Sequence, residues 1–154
     1  DAAADLTGVD LSPGMLAKAR GHLPEAQWLE ADAARLPIAT DSIDLVTCVT
    51  ALHLFPDPHA ALAEWRRVLR TGGHVVTATF GVNSRRPGAQ VQHPLPVDHQ
   101  SFETPAALAR MVTPHGFLPA RSTSWTDGAH SVLISEFRMV PAGRADLVLP
   151  VRVS

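Results

Sequence analysis

Two aspartates stand where a nucleoside could be held. Asp10 lies in the stretch Gly8-Val9-Asp10-Leu11-Ser12-Pro13-Gly14-Met15-Leu16, which reads as the end of a buried strand, an exposed acid and a capped helix start. Asp32 follows a second predicted strand, Gln27 to Ala31. In a parallel sheet both carboxylates would point to the same rim. A carboxylate is acceptor-only, which suits Asp10 to the 2′ and 3′ hydroxyls of a ribose. Asp32 could accept from the exocyclic amine of a base, and the Ala33 amide could donate to the ring nitrogen beside it. Leu11 and Met15, or Leu36, could sandwich the ring by apolar contact. A local reading stands beside this one: Asp10 caps the helix with Ser12, and Asp32 fixes its own loop. Spacing alone leaves both open. Sites of this kind also need a glycine-rich strand-to-helix turn roughly 20 residues earlier. The chain begins at Asp1, so that turn is not in it.

The elements that must carry these residues follow from pattern. Ser12 is a good N-cap with Pro13 at the first helical position, and the helix is predicted to run to about His22. Met15, Leu16, Ala19 and Leu23 form its inner stripe. Pro37 makes Arg35 to Ile38 a loop. Leu45 to Thr50 is nearly continuous apolar and β-branched sequence, the pattern of a central strand covered on both faces. Asp57-Pro58 opens a second helix by the same cap-then-proline logic. Its inner face is Leu62, Trp65 and Leu69, and Gly72-Gly73 stops it. His74 to Phe80 is the next buried strand. Gly81 to Phe102 is irregular, and a loop that long is usually functional or mobile. Thr104-Pro105 starts a third helix that His115-Gly116 ends. Phe117 to Trp125 and Ser131 to Val140 are predicted antiparallel strands joined near Asp127-Gly128. Leu147 to Val151 is an edge strand or a tail. Alternating strands and helices imply an α/β fold, a mostly parallel sheet with helices on both faces.

Bulk properties narrow the function. The 154 residues suffice for one domain. Apolar content of 45 % against 18 % charged is a globular balance. Thirteen Lys+Arg against 15 Asp+Glu give a net charge of -2, without a basic stripe, so nucleic acid is not an expected partner. A single Cys excludes an intramolecular disulfide. No apolar run reaches the roughly 18 residues of a membrane span, and the given residues are not expected to include a signal peptide; the expected location is cytoplasmic.

Three stretches together resemble one family. They are Gly8 to Leu16; Glu30-Ala31-Asp32-Ala33-Ala34-Arg35-Leu36-Pro37-Ile38 with Asp41-Ser42-Ile43-Asp44; and Ala51-Leu52-His53-Leu54-Phe55-Pro56-Asp57 followed by Leu62, Trp65-Arg66-Arg67-Val68-Leu69 and Gly72-Gly73. In this order and separation they are similar to the class I S-adenosylmethionine-dependent methyltransferases, a seven-stranded Rossmann-like class. The nearest likeness is to the small-molecule branch that includes the ubiquinone/menaquinone methylases. The likeness covers about residues 5 to 80; beyond residue 100 it rests on element order.

The resemblance implies a cofactor, S-adenosylmethionine, and a small-molecule methyl acceptor. Asp10 would hold the cofactor ribose, with Leu11 and Met15 beside it. Asp32 and Ala33 would read the adenine. Thr50 would lie near the methionine part, and His53 would face the region between cofactor and acceptor. The family strand order is 3-2-1-4-5-7-6, with strand 7 antiparallel. Strands 2 to 7 would be present here, with strand 1 and the glycine-rich loop upstream of Asp1. The expectation is therefore a single methyltransferase-like domain over 1–154, N-terminally incomplete, which by itself is not a competent catalyst. Its sheet would lack the centre, which raises a homodimer as an expectation.

The reaction would need nucleophile, methyl and sulfur in line and water excluded. His53 is the candidate catalytic residue, because an unperturbed imidazole is suited to base work near neutral pH. Its alternatives are a wall residue or a donor that acts through another residue. Residues 81–103 are the expected acceptor-side loop, where Arg85 and Arg86 could pair with an anionic acceptor or be solvated. His93, Asp98 and His99 match no zinc spacing, so no metal is expected. His59, His74, His115 and His130 read as ordinary helix, strand-edge or turn residues. Two other functions remain: an NAD(P)-dependent oxidoreductase, which uses the same acid for ribose, and a non-catalytic binding or dimerisation module of the same fold. The absence of any Tyr removes a Ser-Tyr-Lys arrangement but not every hydride chemistry.

Overall fold

The computed structural model describes residues 5–82, 100–127 and 130–141. Its elements are β1 (Thr7–Asp10), α1 (Pro13–His22), β2 (Gln27–Glu30), β3 (Ile43–Val49), α2 (Pro58–Val68), β4 (Leu69–Phe80), α3 (Pro105–Val112), β5 (Phe117–Thr126) and β6 (Ser131–Met139). They form an α/β fold with two sheets. One has the order β1-β2 and the other β3-β4-β6-β5. β1 pairs with β2 in parallel, and β3 with β4 in parallel. β6 runs antiparallel to both β4 and β5. In the family's numbering these orders are 2-3 and 4-5-7-6. Among the described residues β1 and β3 are each paired on one side only, which is where the resemblance sets strand 1.

The three α-helices start by one device. Ser12, Asp57 and Thr104 accept from the amides of Met15, Ala60 and Ala107, and Pro13, Pro58 and Pro105 follow at once. Each such cap is worth about 1 kcal/mol, and the proline costs no hydrogen bond there. Their ends differ. α2 stops at Val68, before the expected Gly72-Gly73, because Leu69 turns extended (φ -73°, ψ 139°) and pairs with Ile43. The glycines instead shape the first turn of β4. Gly72 takes φ +83°, and a Cβ on Gly73 would lie 2.8 Å from the Arg70 carbonyl. After α3, a single 3-10 turn (Thr113–His115) ends on Gly116 at φ +78°, where the Arg66 guanidinium fills the space a side chain would take.

α2 and α3 cover one face of the four-stranded sheet. Strict alternation along β6 buries Leu133, Ser135, Phe137 and Met139 on that face. Leu133, Phe137 and Met139 meet Leu62, Trp65, Leu108, Val112, Phe102 and Phe117 in one core. Full burial of such side chains contributes about 1.5–3 kcal/mol each. The thiol of Cys48 lies in this core, and burial pushes its pKa to about 11. The opposite face corrects the expectation for β3. Leu45 and Val49 are 51 % and 64 % exposed, so among the described residues β3 is an edge strand open on one face. Ile134 and Trp125 are exposed on the same face. α1 also departs from its expected stripe: Leu16 is buried, but Met15 is 54 % exposed. Trp65 is core as expected, while Trp28 is half-buried and donates from Nε1 to the Leu23 carbonyl. Leu147 to Val151 lie outside the described residues.

Candidate functional site

The parallel register of β1 and β2 sets Asp10 level with Glu30. The Ala31 amide extends the ladder by donating to the Asp10 carbonyl at 3.2 Å. Asp10 and the turn that starts at Asp32 therefore leave the same end of two neighbouring strands. Each carboxylate is oriented by its own chain. Asp10 Oδ1 accepts from the Ser12 amide at 2.7 Å. Asp32 Oδ1 accepts from the Ala34 amide at 2.9 Å, and the Arg35 amide bonds the Asp32 carbonyl. The local reading of both residues is thus present in the fold. It uses one oxygen of each, and no described residue donates to Oδ2 of either. A carboxylate pinned through one oxygen presents the other in a fixed direction at little further entropic cost. The Ala33 amide bonds to no described residue either. The exposed side chains of Leu11 (66 %) and Met15 supply apolar surface beside Asp10.

Thr50 and His53 sit at the corresponding end of β3. Thr50 is exposed, with φ +51°, a left-handed conformation unusual for a β-branched residue. Its amide donates to the Ala78 carbonyl at 2.7 Å, which keeps the strained residue in ladder register with β4. The chain then makes a 3-10 turn, Leu52–Leu54. His53 in this turn is only 6 % exposed, and its ring meets Phe80 edge-on at 5.2 Å between centroids. Arg85, Arg86, His93, Asp98 and His99, and most of the expected loop 81–103, lie outside the described residues.

Other polar groupings escaped the sequence reading. Glu64 and Arg67 on α2 bond each other twice and hold the 36–40 loop. His59 Nδ1 and His115 Nε2 share a hydrogen bond of 2.9 Å. Glu136 takes His74 on one oxygen and Arg121 on the other. The His pair joins residues 56 apart, for which no local spacing signal exists. The Glu64–Arg67 spacing of three along a helix was visible in the sequence. No group of three metal-ligating side chains is present among the described residues.

Residues 1–77, half of the chain, match the family described as the methyltransferase domain. The chain belongs to this family. The demethylmenaquinone methyltransferase of Beutenbergia cavernae is 33 % identical over 129 residues, 82 % of this chain and 52 % of that protein. The malonyl-[acyl-carrier protein] O-methyltransferase of Hahella chejuensis is 42 % identical over 79 residues, 50 % of this chain and 28 % of that protein. The matched part of the chain thus spans about half the length, or less, of these relatives. Among solved structures, an S-adenosylmethionine dependent methyltransferase from Mesorhizobium loti has a TM-score of 0.67 at 21 % identity, covering 88 % of this chain and 81 % of that one. That likeness bears out the class I α/β fold. Among the described residues, no helix is long and apolar enough to cross a membrane.

Proposed function

We propose that this domain belongs to an enzyme that transfers a methyl group from S-adenosylmethionine to a small-molecule acceptor. The observation that carries the reading is the pair Asp10 and Asp32 on neighbouring strand ends, each tied through Oδ1. The donor set fits the cofactor's nucleoside. Asp10 accepts from the ribose hydroxyls, Asp32 accepts from the adenine amine, and the Ala33 amide donates to the ring. Leu11 and Met15 cover the nucleoside. When bound, the cofactor supplies a methyl group on a sulfonium, already activated for transfer. The chain's own work is to bind, orient and exclude water. Thr50 turns the backbone at the methionine side. His53, beside Phe80, lines the acceptor side and takes a proton where the acceptor is a hydroxyl or an acidic carbon.

In this reading the acceptor is chosen by residues other than those that hold the cofactor. Demethylmenaquinone and malonyl-[acyl-carrier protein] methyltransferases differ in their named acceptors, yet each matches half of this chain or more. Residues 81–103 are the acceptor-side loop in this reading, and a cytoplasmic location and self-association complete it. Sedimentation of the full-length protein as a monomer would remove the last of these.

Calorimetric titration of the full-length protein with S-adenosylhomocysteine tests the cofactor. Micromolar binding, about -8 kcal/mol, is expected. Asp10→Ala should weaken it by tenfold or more, since one charge-assisted acceptor is worth about 1.5–3 kcal/mol. A folded protein without affinity for S-adenosylhomocysteine would overturn the proposal. Unchanged turnover in His53→Ala would leave His53 as a wall residue.

A further inference from the structure

We infer that Glu64 and Arg67, on the flank of α2, are positioning residues for adenine recognition. The inference rests on the role proposed above for Asp32 and Ala33. Their turn is suspended between two anchors. At its start, the Ala31 amide is held by the Asp10 carbonyl at the end of β1. At its far end, Leu36 is held by α2 through both of its backbone groups. Its amide donates to Glu64 Oε2 at 2.9 Å, and its carbonyl accepts from Arg67 Nη2 at 3.0 Å.

The pair is built for this. Arg67 forks onto Glu64, with Nε to Oε1 and Nη2 to Oε2 both at 2.8 Å. Its other terminal nitrogen, Nη1, reaches the Ile38 carbonyl at 2.9 Å and Thr40 Oγ1 at 3.1 Å. The Arg67 guanidinium holds the Glu64 carboxyl below its ordinary pKa, so Glu64 is a charged acceptor for the Leu36 amide. A planar guanidinium can serve five acceptor atoms at once, here on four residues, in a way an ammonium cannot. An irregular loop has no ladder to satisfy its backbone, and here one ion pair does so. Neither side chain belongs to the core, which α2 reaches through Leu62, Trp65 and Val68. Loss of the pair therefore frees the far anchor of the Asp32 turn while α2 keeps its cap and its apolar face. The ribose acceptor, Asp10, sits on the other side of the first anchor and is not touched.

The test compares S-adenosylhomocysteine with S-inosylhomocysteine, in which an oxo group replaces the exocyclic amine, on the full-length protein. Wild type should prefer the adenosyl ligand, and Asp32→Ala should reduce the preference to what the Ala33 amide alone supplies, since the ring nitrogen it meets is an acceptor in the adenosyl ligand and an N–H in the inosyl ligand. Asp10→Ala should weaken both ligands alike. Arg67→Ala should lower adenosyl affinity about tenfold, one hydrogen bond's worth, and leave inosyl affinity unchanged. Arg67→Lys keeps the charge without the fork and should give a reduced preference, which supplies the readout if the alanine variant does not fold. A wild-type ratio of one overturns the adenine reading and this inference with it. A preference undiminished from wild type in folded Arg67→Ala or Arg67→Lys, or an equal loss for both ligands, overturns this inference alone.

Discussion

Single residues near the proposed site are held against their own preferences. Thr50 is the clearest case. A β-branched side chain at φ +51° costs about 1–3 kcal/mol and persists only where its surroundings over-determine it. Here the amide bond to Ala78 and the following 3-10 turn do so. Thr50→Gly removes the steric penalty and gives back part of it as unfolded-chain entropy. The expected result is a gain of about 1 kcal/mol, or about 2–4 °C in melting temperature for a chain of this size. A lower melting temperature would show that the threonine side chain contributes more than its backbone costs. Gly8 is constrained in the opposite sense. It pairs with Trp28 across β1 and β2, and the indole ring lies where a Cβ would project. Gly8→Ala must push the ring off β1 and break its bond to Leu23. A loss of about 1–3 kcal/mol is expected, with a shift in the tryptophan emission as its signature.

At the scale of elements, the four-stranded sheet carries a polar row inside its covered face. Cys48, Thr77, Ser135 and Ser122 lie level on β3, β4, β6 and β5. Ser122 and Ser135 bond each other at 2.9 Å, but the Thr77 hydroxyl is fully buried without a partner among the described residues. Such a group costs about 1–3 kcal/mol in desolvation, and an apolar side chain of the same shape does not. Thr77→Val should therefore stabilise the fold by about 1 kcal/mol, and a denaturant midpoint that moves down would refute the assignment. The elements themselves were largely legible in the sequence, because Ser12-Pro13, Asp57-Pro58 and Thr104-Pro105 are strong local helix starts. The end of α2 was not. The glycines looked like a stop, but pairing of Leu69 with Ile43, 26 residues away, ended the helix first. Among the described residues β3 also lacks the cover that its sequence implies, for a related reason. A run of apolar, β-branched residues says that a strand wants cover, not whether its neighbours supply it. At the site, Asp10 and Asp32 were legible because each follows a strand. The Glu64–Arg67 hold on Leu36 was not, because it depends on how α2 packs against the loop.

For the whole molecule, the His59–His115 contact joins the start of α2 to the turn before β5, and it makes stability depend on pH. The shared hydrogen bond needs one ring to donate and the other to accept, so at least one ring must be neutral. Partial burial holds the pKa of His115 below its ordinary 6.5, and the charges of His59 and Arg66 push the same way against Asp57. The sign follows from proton uptake. As pH falls through 6.5 the unfolded chain gains a proton at this residue that the folded chain still refuses. The unfolded state then binds more protons, so stability is full above 6.5 and is lost as pH falls from 6.5 to the lower folded value. His115→Gln keeps a polar side chain that does not titrate. Its melting temperature should fall less than that of wild type between about pH 7.5 and about pH 5.5, and the two curves should run parallel above that range. Parallel curves throughout would mean that His115 takes up its proton equally in both states, and that acid sensitivity arises elsewhere. The same measurement on His59→Gln separates the terms. Removing one charged neighbour should flatten the dependence in part, because burial of His115 remains.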